Sequence, residues 1–364
     1  MNQKGANSFV LPTNDLASPP VIRPSDETSS GTFAELKQLM KKRGLLEKQP
    51  AYYTFRIVLL LSLLVIGAAF LLLVHIFWLQ LLNAVFLAFV FTQIGLLGHE
   101  AGHRQMFHRS WKHDVVSLLG GNLLIGMSYV WWLDKHNRHH SHPNQVDMDP
   151  DLEIPFLEFT GTEDVEQLGK SRQFLVRHQA SLFFPALMTV AIGLQYNSIS
   201  FLLRNKAKHH TLEWFLIIAH FALYLGFVFY CLPPWQAIFF VCIHQFLTGL
   251  YLGAIFAPNH KGMPVLGKES NMDFLRRQVL TARNIYAHPV TDFCYGGLNY
   301  QIEHHLFPAM PRNKLKQAQT IVKKFCQEHD ISYHETGVLR SFKEILQHLY
   351  HIGAPLRKRT YPEG

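Results

Sequence analysis

The chain has 364 residues, of which 48% are hydrophobic and only 16% are charged. Soluble domains carry about 25% charged residues, so the composition argues against an ordinary soluble protein. A formal net charge of +8 would suit a nucleic acid or an anionic membrane surface. No compact basic motif accompanies that charge, and we expect no nucleic-acid partner.

The first element in chain order is a polar segment, residues 1–33, which is rich in Ser, Pro and Asn. It lacks the basic and then apolar pattern of a secretion signal. We expect a disordered N-terminal tail.

Two long runs contain no Asp, Glu, Lys or Arg, from Val58 to Gly98 and from Trp214 to Ala257. Each run is about twice the roughly 20 residues that one helix needs to cross a bilayer. We interpret each run as a helical hairpin, with turns near Phe77–Asn83 and Leu232–Trp235. The predicted spans are about 54–74, 78–98, 214–231 and 235–257. The alternative is a large buried core in a soluble protein.

Two further apolar stretches, Val115–Leu133 and Ser181–Leu194, need another placement. If either stretch crossed the membrane alone, the histidine groups described below would lie on opposite faces. We expect both to be interfacial or re-entrant. Every Lys and Arg lies outside the two hairpins, on the side of both termini. The positive-inside rule therefore predicts cytoplasmic termini.

Three histidine groups follow the apolar segments: "HEAGH", "HNRHH" and "QIEHH". Positions i, i+3 and i+4 share one face of a helix, so each group can present its imidazoles together. A single pair of this kind is a weak signal and usually marks helix capping or surface polarity. Three groups on one side of a four-span bundle predict a shared metal site.

Imidazole ligands suit iron, zinc, copper and nickel, and seven histidines are too many for one tetrahedral zinc ion. Two metal ions with five or six ligands each would use them all. Redox-active iron fits best if the substrate is a lipid with an unactivated C–H bond. Two acids inside the groups, Glu100 and Glu303, point away from the ligand face. We expect them to orient imidazoles or to be solvated surface charges.

The segments "WWLDKHNRHHSHPNQVDMDPD" and "NYQIEHHLFPAMPR" resemble the membrane-bound fatty acid desaturases. The similarity is to the front-end branch, in which Gln replaces the first histidine of the third group. It covers roughly residues 50–330. It implies an all-α integral membrane protein of four spans, with a cytosolic helical cap that holds two iron ions. We expect a desaturase domain at residues 34–330 and a cytosolic C-terminal segment at residues 331–364.

The resemblance can be carried over to single residues of this chain. It implies that the histidines that bind the metal ions are also the catalytic residues. The family also takes a histidine from just after the last membrane helix, and "APNHKGMP" offers His260. The implied metal ligands are His99, His103, His136, His139, His140, His260, His304 and His305. Gln301 joins the catalytic set, either as a direct ligand or through a hydrogen bond. His108 and His142 lie off the helical faces of their groups and are left out.

The sequence allows two roles for several other residues. His220 and His244 lie inside the second hairpin, where an ionisable residue suggests function. A neutral imidazole bonded to a neighbouring helix is the better expectation. Asp149 and Asp151 could support the second histidine group or form a turn around Pro150.

The implied reaction uses O2 as co-substrate and introduces a cis double bond into a fatty acyl chain, carried on a lipid or on coenzyme A. The Δ6 and Δ9 positions both remain open. No "HPGG" motif of a fused haem domain occurs, so we expect a separate electron donor, ferredoxin or cytochrome b5. A lipid hydroxylase on the same site, a zinc-dependent membrane hydrolase and a metal transporter are the alternatives.

Overall fold

The computed structural model describes residues 30–154, 157–206 and 208–358. Within those ranges nearly all of the regular secondary structure is helical, which confirms the predicted fold class. The helices are α1 (Ser30–Lys42), α2 (Pro50–Leu73), α3 (Phe77–Gly102), α4 (Ser110–Ser117), a π-helical turn (Leu118–Ile125), α5 (Tyr129–Ser141), α6 (Lys170–Met188), α7 (Val190–Arg204), α8 (His210–Cys231), α9 (Pro234–His260), α10 (Phe274–Leu280), α11 (Pro289–Cys294), α12 (Gln301–Leu306), a 3₁₀ turn (Arg312–Lys314), α13 (Leu315–Glu328), α14 (Val338–Ile352) and α15 (Ala354–Lys358). Two short strands, β1 (Asn284–Ile285) and β2 (Glu335–Thr336), pair in parallel.

Among the described helices, four are long and apolar enough to cross a membrane: α2, α3, α8 and α9. The number rises to six if each of two bent helix pairs is counted as one span. These helices fit a multi-pass membrane protein. Over its most apolar stretch, α3 is 56% buried and α2 is 17% buried. Helix α3 therefore lies inside the bundle, and α2 presents most of its surface outward.

The first hairpin turns at Val74–Ile76, so the prediction of a turn near Phe77–Asn83 is wrong. Polar residues of that range belong to α3 and face the end of α2. The side-chain amide of Gln80, for example, donates to the carbonyl of Phe70 at 3.1 Å. A buried carbonyl at a helix end needs such a donor, and this bond supplies one within the hairpin. The second hairpin turns at Leu232–Pro233, inside its predicted range.

The stretch from α4 to α5 runs away from the first histidine group and returns to it. The segment Ser110–Ile125 meets α5 at 109°. It begins shortly after His103, and His136 on α5 comes back to within 2.9 Å of that same histidine. The bend falls at Gly126, whose φ of 76° suits glycine. Both ends of the segment therefore lie at one level, which fits the expected interfacial or re-entrant placement.

Helices α6 and α7 form the second bent pair, at 70°. Pro185 lies inside α6 shortly before this bend, where it removes a helical hydrogen bond. Gln179 of α6 donates to the carbonyl of Leu349 on α14 at 3.0 Å. This contact ties the bent pair to the C-terminal part of the chain.

The C-terminal segment packs on the rest of the protein through β2 and α14. Arg283, whose side chain is fully buried, forms an ion pair with Glu344 of α14. The same guanidinium donates to the carbonyls of Pro258 and Lys261, on either side of His260. Arg283 therefore links helix α14 to the end of α9.

The N-terminal end of the described chain belongs to helix α1, which includes residues 30–33 of the predicted tail. Residues 1–29 lie outside the described residues. Leu36 and Met40 of α1 are fully buried and share a hydrophobic core with residues of α10, α12 and α13. This core lies behind the third histidine group and holds α12 in place.

Candidate metal centre

The eight histidines named as ligands meet in two adjoining groups. In each group the nitrogen atoms that could bind a metal lie within 4.8 Å of one another. The five-imidazole group consists of His99, His103, His136, His140 and His304, and the three-imidazole group of His139, His260 and His305. Helices α3, α5, α9 and α12 thus converge on one small volume.

The five-imidazole group is built where α3 ends and α5 passes over it. The Nε2 atom of His136 lies 2.9 Å from that of His103 and 3.0 Å from that of His140. Trp132, one turn before His136, stacks on its ring with centroids 4.5 Å apart. The indole also occupies the space beside Gly102, where a Cβ atom would lie 2.3 Å from it. Glycine at this position therefore lets α5 approach α3.

The three-imidazole group joins α5, α9 and α12. The Nε2 atoms of His260 and His305 lie 3.0 Å apart. The ring of His139 meets both rings edge-on, with centroids 4.7 Å from that of His260 and 5.0 Å from that of His305. His260 is the last residue of α9, so its inclusion depends on where that helix ends.

Each imidazole of the three-imidazole group is held from behind through Nδ1. The partners are the Asp149 carboxylate for His139 at 3.0 Å, the Thr281 carbonyl for His260 at 3.0 Å and the Gln278 amide oxygen for His305 at 2.8 Å. An Nδ1–H that donates to such an acceptor leaves the lone pair on Nε2. All three Nε2 lone pairs can therefore face the inside of the group.

Burial and neighbouring imidazoles favour neutral rings. Burial lowers the pKa of His136, His140, His304 and His305 well below the ordinary value, and neighbouring histidines lower it further. Neutral imidazole is the form that binds metals. The Nε2 atom of His304 is buried and has no hydrogen-bond partner among the described residues. A buried, unpaired nitrogen facing other lone pairs fits a bound cation.

Asp149 and His139 form a buried pair. Burial opposes the charged imidazole, but Asp149 and Asp151 outweigh it and raise the pKa of His139. Burial likewise opposes the Asp149 carboxylate, and the adjacent His139 nevertheless lowers its pKa. Asp151 lies nearby and forms an ion pair with Lys135. The "DMDPD" stretch thus supports the second histidine group.

The expectation that Glu100 and Glu303 orient imidazoles is wrong. Glu100 is buried with its carboxylate 3.6 Å from a guanidinium nitrogen of Arg312. Glu303 accepts hydrogen bonds from Asn284 at 2.7 Å and Tyr333 at 2.9 Å. A residue next to a ligand in a helix points about 100° away from it, which places both acids behind the ligand face. They anchor the helices.

Gln301 lies at the edge of the three-imidazole group. Its amide nitrogen is 2.9 Å from Nε2 of His260, and its amide oxygen accepts from Asn259 at 3.0 Å. Amide nitrogen and oxygen are assigned from such networks. Turning both amides over together preserves the bond between them and presents the Gln301 oxygen to the group instead.

The remaining histidines singled out by the sequence lie outside both groups. His108 is exposed, and His142 lines an open depression of about 510 Å³ together with His140 and His305. His220 bonds to the carbonyl of Leu123 at 3.0 Å, and His244 to the hydroxyl of Tyr224 at 2.8 Å. These bonds between neighbouring elements are the expected ones.

Sequence reasoning missed Gln278 and the carbonyl of Thr281. Both lie near the start of the stretch "QVLTARN", far from any histidine group in sequence. A buried glutamine near the end of a short amphipathic helix carries little signal. No spacing rule links it to His305, because their contact is made between separate elements.

Comparison with known proteins agrees with this geometry. The sequence model of the family described as "Fatty acid desaturase" matches residues 76–337. The chain is 29% identical over 338 residues to the acyl-lipid (9-3)-desaturase of Physcomitrium patens, covering 88% of this chain and 62% of that protein. It is 28% identical over 348 residues to a Delta(6)-fatty-acid desaturase of Caenorhabditis elegans, covering 90% of this chain and 76% of that protein. A Delta(8)-fatty-acid desaturase of Arabidopsis thaliana is 30% identical over 275 residues, covering 70% of this chain and 60% of that protein. The chain belongs to the fatty acid desaturase family.

Proposed function

We propose that the chain is an O2-dependent fatty acyl desaturase that introduces a cis double bond at a pair of iron ions. The observation that carries this proposal is the meeting of eight imidazoles in two adjoining groups. When bound, two iron ions supply the oxidising power, derived from O2, that removing hydrogen from an unactivated methylene requires.

The residues have distinct roles in this proposal. The five-imidazole group holds one ion, and the three-imidazole group holds the other. An all-imidazole set is compatible with iron, and eight imidazoles exceed the need of one zinc ion. Asp149, Gln278 and Thr281 fix the imidazoles of the smaller group.

Gln301 completes the three-imidazole group. Asn259 holds the far end of its amide, so the near end is fixed beside His260. An amide oxygen at this place adds a neutral donor to the smaller group, and an amide nitrogen would instead donate a hydrogen bond there. Either arrangement makes the two groups chemically unequal.

The substrate is a fatty acyl chain carried on a lipid or on coenzyme A. The relatives reported above are named for positions 9-3, Delta(6) and Delta(8). Their names favour Δ6 over Δ9 for this chain. The enzyme's task is to hold two neighbouring methylenes against the imidazole groups, because positioning supplies much of the rate.

The active site and both termini face the cytoplasm in our proposal. The turns at Val74–Ile76 and Leu232–Pro233 carry no Lys or Arg, and the positive-inside rule places such turns outside. A separate ferredoxin or cytochrome b5 supplies electrons from the cytoplasmic side. The depression beside His140 and His305 gives that donor an approach to both groups.

We also propose that the desaturase domain continues past residue 330. The pairing of β2 with β1 and the ion pair between Arg283 and Glu344 join α14 to the ligand-bearing elements. A functional domain of residues 34–352 follows from these contacts.

The first test is a fatty-acid profile of cells that express the chain with an electron donor. Double-bond positions are located by mass spectrometry, and iron is counted on the purified protein. His304→Ala removes a ligand, and His108→Ala is the matched control because His108 is exposed. We expect a new cis-unsaturated acid and two iron ions with the wild type and His108→Ala, and neither product nor full iron content with His304→Ala.

Other outcomes identify other functions. A hydroxy acid as the main product would make the chain a lipid hydroxylase on the same groups. Purified protein that contains zinc and no iron, and that hydrolyses a lipid, would make the chain a zinc-dependent hydrolase. Full activity and iron content in His304→Ala would refute the proposed site.

A further inference from the structure

The closest ring contact between the two imidazole groups lies on the side of the open depression. His140 belongs to the five-imidazole group and His305 to the three-imidazole group. Their rings stack with centroids 4.1 Å apart and planes inclined by 17°. Both residues line the depression of about 510 Å³. His140 is half-buried and His305 is buried, so this contact forms the inner wall of the depression.

The support of His140 differs from that of the ligands in the smaller group. Its Nε2 atom faces His136, but its Nδ1 atom is buried and has no hydrogen-bond partner among the described residues. No acceptor among the described residues therefore holds this imidazole from behind. Its place depends on its own backbone and on the neighbouring histidine rings, of which that of His305 is the closest.

Gln278 of α10 supports both residues. Its amide oxygen accepts from Nδ1 of His305 at 2.8 Å, and its amide nitrogen donates to the backbone carbonyl of His140 at 2.9 Å. The Gln278 side chain is fully buried. One residue that belongs to neither group therefore binds a ligand-bearing segment from each.

These two bonds also settle the hydrogen positions. A backbone carbonyl can only accept, so the amide nitrogen of Gln278 must face His140. The amide oxygen then faces His305, whose Nδ1 must carry the hydrogen. The lone pair of His305 is consequently on Nε2, which lies 3.0 Å from Nε2 of His260.

We propose that Gln278 is a positioning residue of the metal centre, which fixes the tautomer of His305 and the distance between the two imidazole groups. It touches neither substrate nor metal. This inference rests on the proposed function, because it assumes that metal ions bind between these imidazoles.

The test uses Gln278→Met, which keeps the size of the side chain and removes both hydrogen bonds. Gln179→Met is the matched control. Gln179 is also a buried glutamine that bridges two elements, accepting from the backbone of Glu158 at 2.9 Å and donating to Leu349 at 3.0 Å, outside the metal groups. The measurements are iron per purified protein, the rate of iron release to a chelator and the melting temperature.

We expect both variants to melt at a lower temperature and only Gln278→Met to release iron faster. Loss of a residue that orients a metal ligand typically weakens metal binding by about 10- to 100-fold, and we expect release to accelerate by about tenfold or more. Gln278→Glu retains an acceptor for His305 and should release iron at a rate between those of Gln278→Met and the wild type.

Unchanged iron content and release in Gln278→Met would overturn the inference. Equal acceleration in Gln179→Met would also overturn it, since the effect would then reflect general loosening. If Gln278→Met does not accumulate, Gln278→Asn, which is one methylene shorter, carries the same expectation. A wild type that binds no iron would instead contradict the proposed function.

Discussion

Asp149 accepts a hydrogen bond from His139, and both of its carboxylate oxygens lie 3.0 Å from the Nδ1 atom. The same carboxylate accepts from the backbone nitrogen of Asn144 at 2.8 Å and from that of Asp151 at 2.9 Å. One side chain therefore orients a candidate ligand and closes the turn that follows α5.

Asp149→Asn is expected to lower iron content and desaturase activity by about 10- to 100-fold. The amide keeps the shape of the carboxylate but removes its charge, and its NH2 group faces donors wherever it points. Iron analysis and the product profile measure the effect. Asp147→Asn is the control, because Asp147 is exposed and its ion pair among the described residues is with Lys268. A fully loaded and active Asp149→Asn protein would contradict the assignment.

Gly126→Ala is expected to destabilise the protein. The φ of 76° at this position costs an alanine about 1–2 kcal/mol, and the added Cβ atom would lie 2.5 Å from the ring of His220. The melting temperature in detergent should fall. Gly226→Ala is the control, since no atom beyond its chain neighbours and its own helix backbone lies within 4 Å of its Cβ position. Equal melting temperatures for the two variants would show that the bend tolerates a side chain.

Removing metal should lower the melting temperature of the wild type. An ion that binds only the folded protein stabilises it by about 4 kcal/mol at a thousand times its dissociation constant. Without metal, the buried Nε2 of His304 has no partner among the described residues. A chelator should therefore lower the melting temperature of the wild type more than that of His304→Ala, as measured by thermal unfolding. Identical shifts would place the stabilising metal elsewhere.

Acid should destabilise the protein partly through Glu344. Burial opposes its carboxylate, but His334 and Arg283 outweigh burial and lower its pKa below the ordinary value of 4.5. A lowered folded-state pKa gives stability that is present above pH 4.5 and is lost as the pH falls further. Glu344→Gln should melt lower than the wild type at neutral pH. The difference should narrow in acid, and a difference that does not depend on pH would exclude this carboxylate.

Much of the site follows from local spacing. The i, i+3 and i+4 positions of His136, His139 and His140 describe a helix face, and α5 is that helix. Spacing could not show that neighbours on this face divide between the groups, with His136 and His140 in one and His139 in the other. That division depends on which partners approach from α9 and α12. The tertiary contacts that bring α9 and α12 to this face produce no periodic pattern in the sequence.

The membrane helices were predicted from the absence of charge, which is a strong signal. The first turn lies at residues 74–76, before the predicted Phe77–Asn83, because Gln80 and its neighbours belong to α3. In the structure the Gln80 side chain serves the neighbouring helix end. The role of Gln278 could not be predicted from sequence spacing, because its partners His140 and His305 lie on other elements.

The order of the candidate ligands along the chain implies that membrane insertion precedes metal binding in time. His99 and His103 stand at the end of the second membrane helix, whereas His304 and His305 follow the last one. A chain that emerges from its N-terminus completes its bundle before α12 exists. Each imidazole group contains one of these two late histidines. Neither metal position can therefore be complete until synthesis has passed α12, which makes assembly of the centre one of the last steps in the protein's maturation.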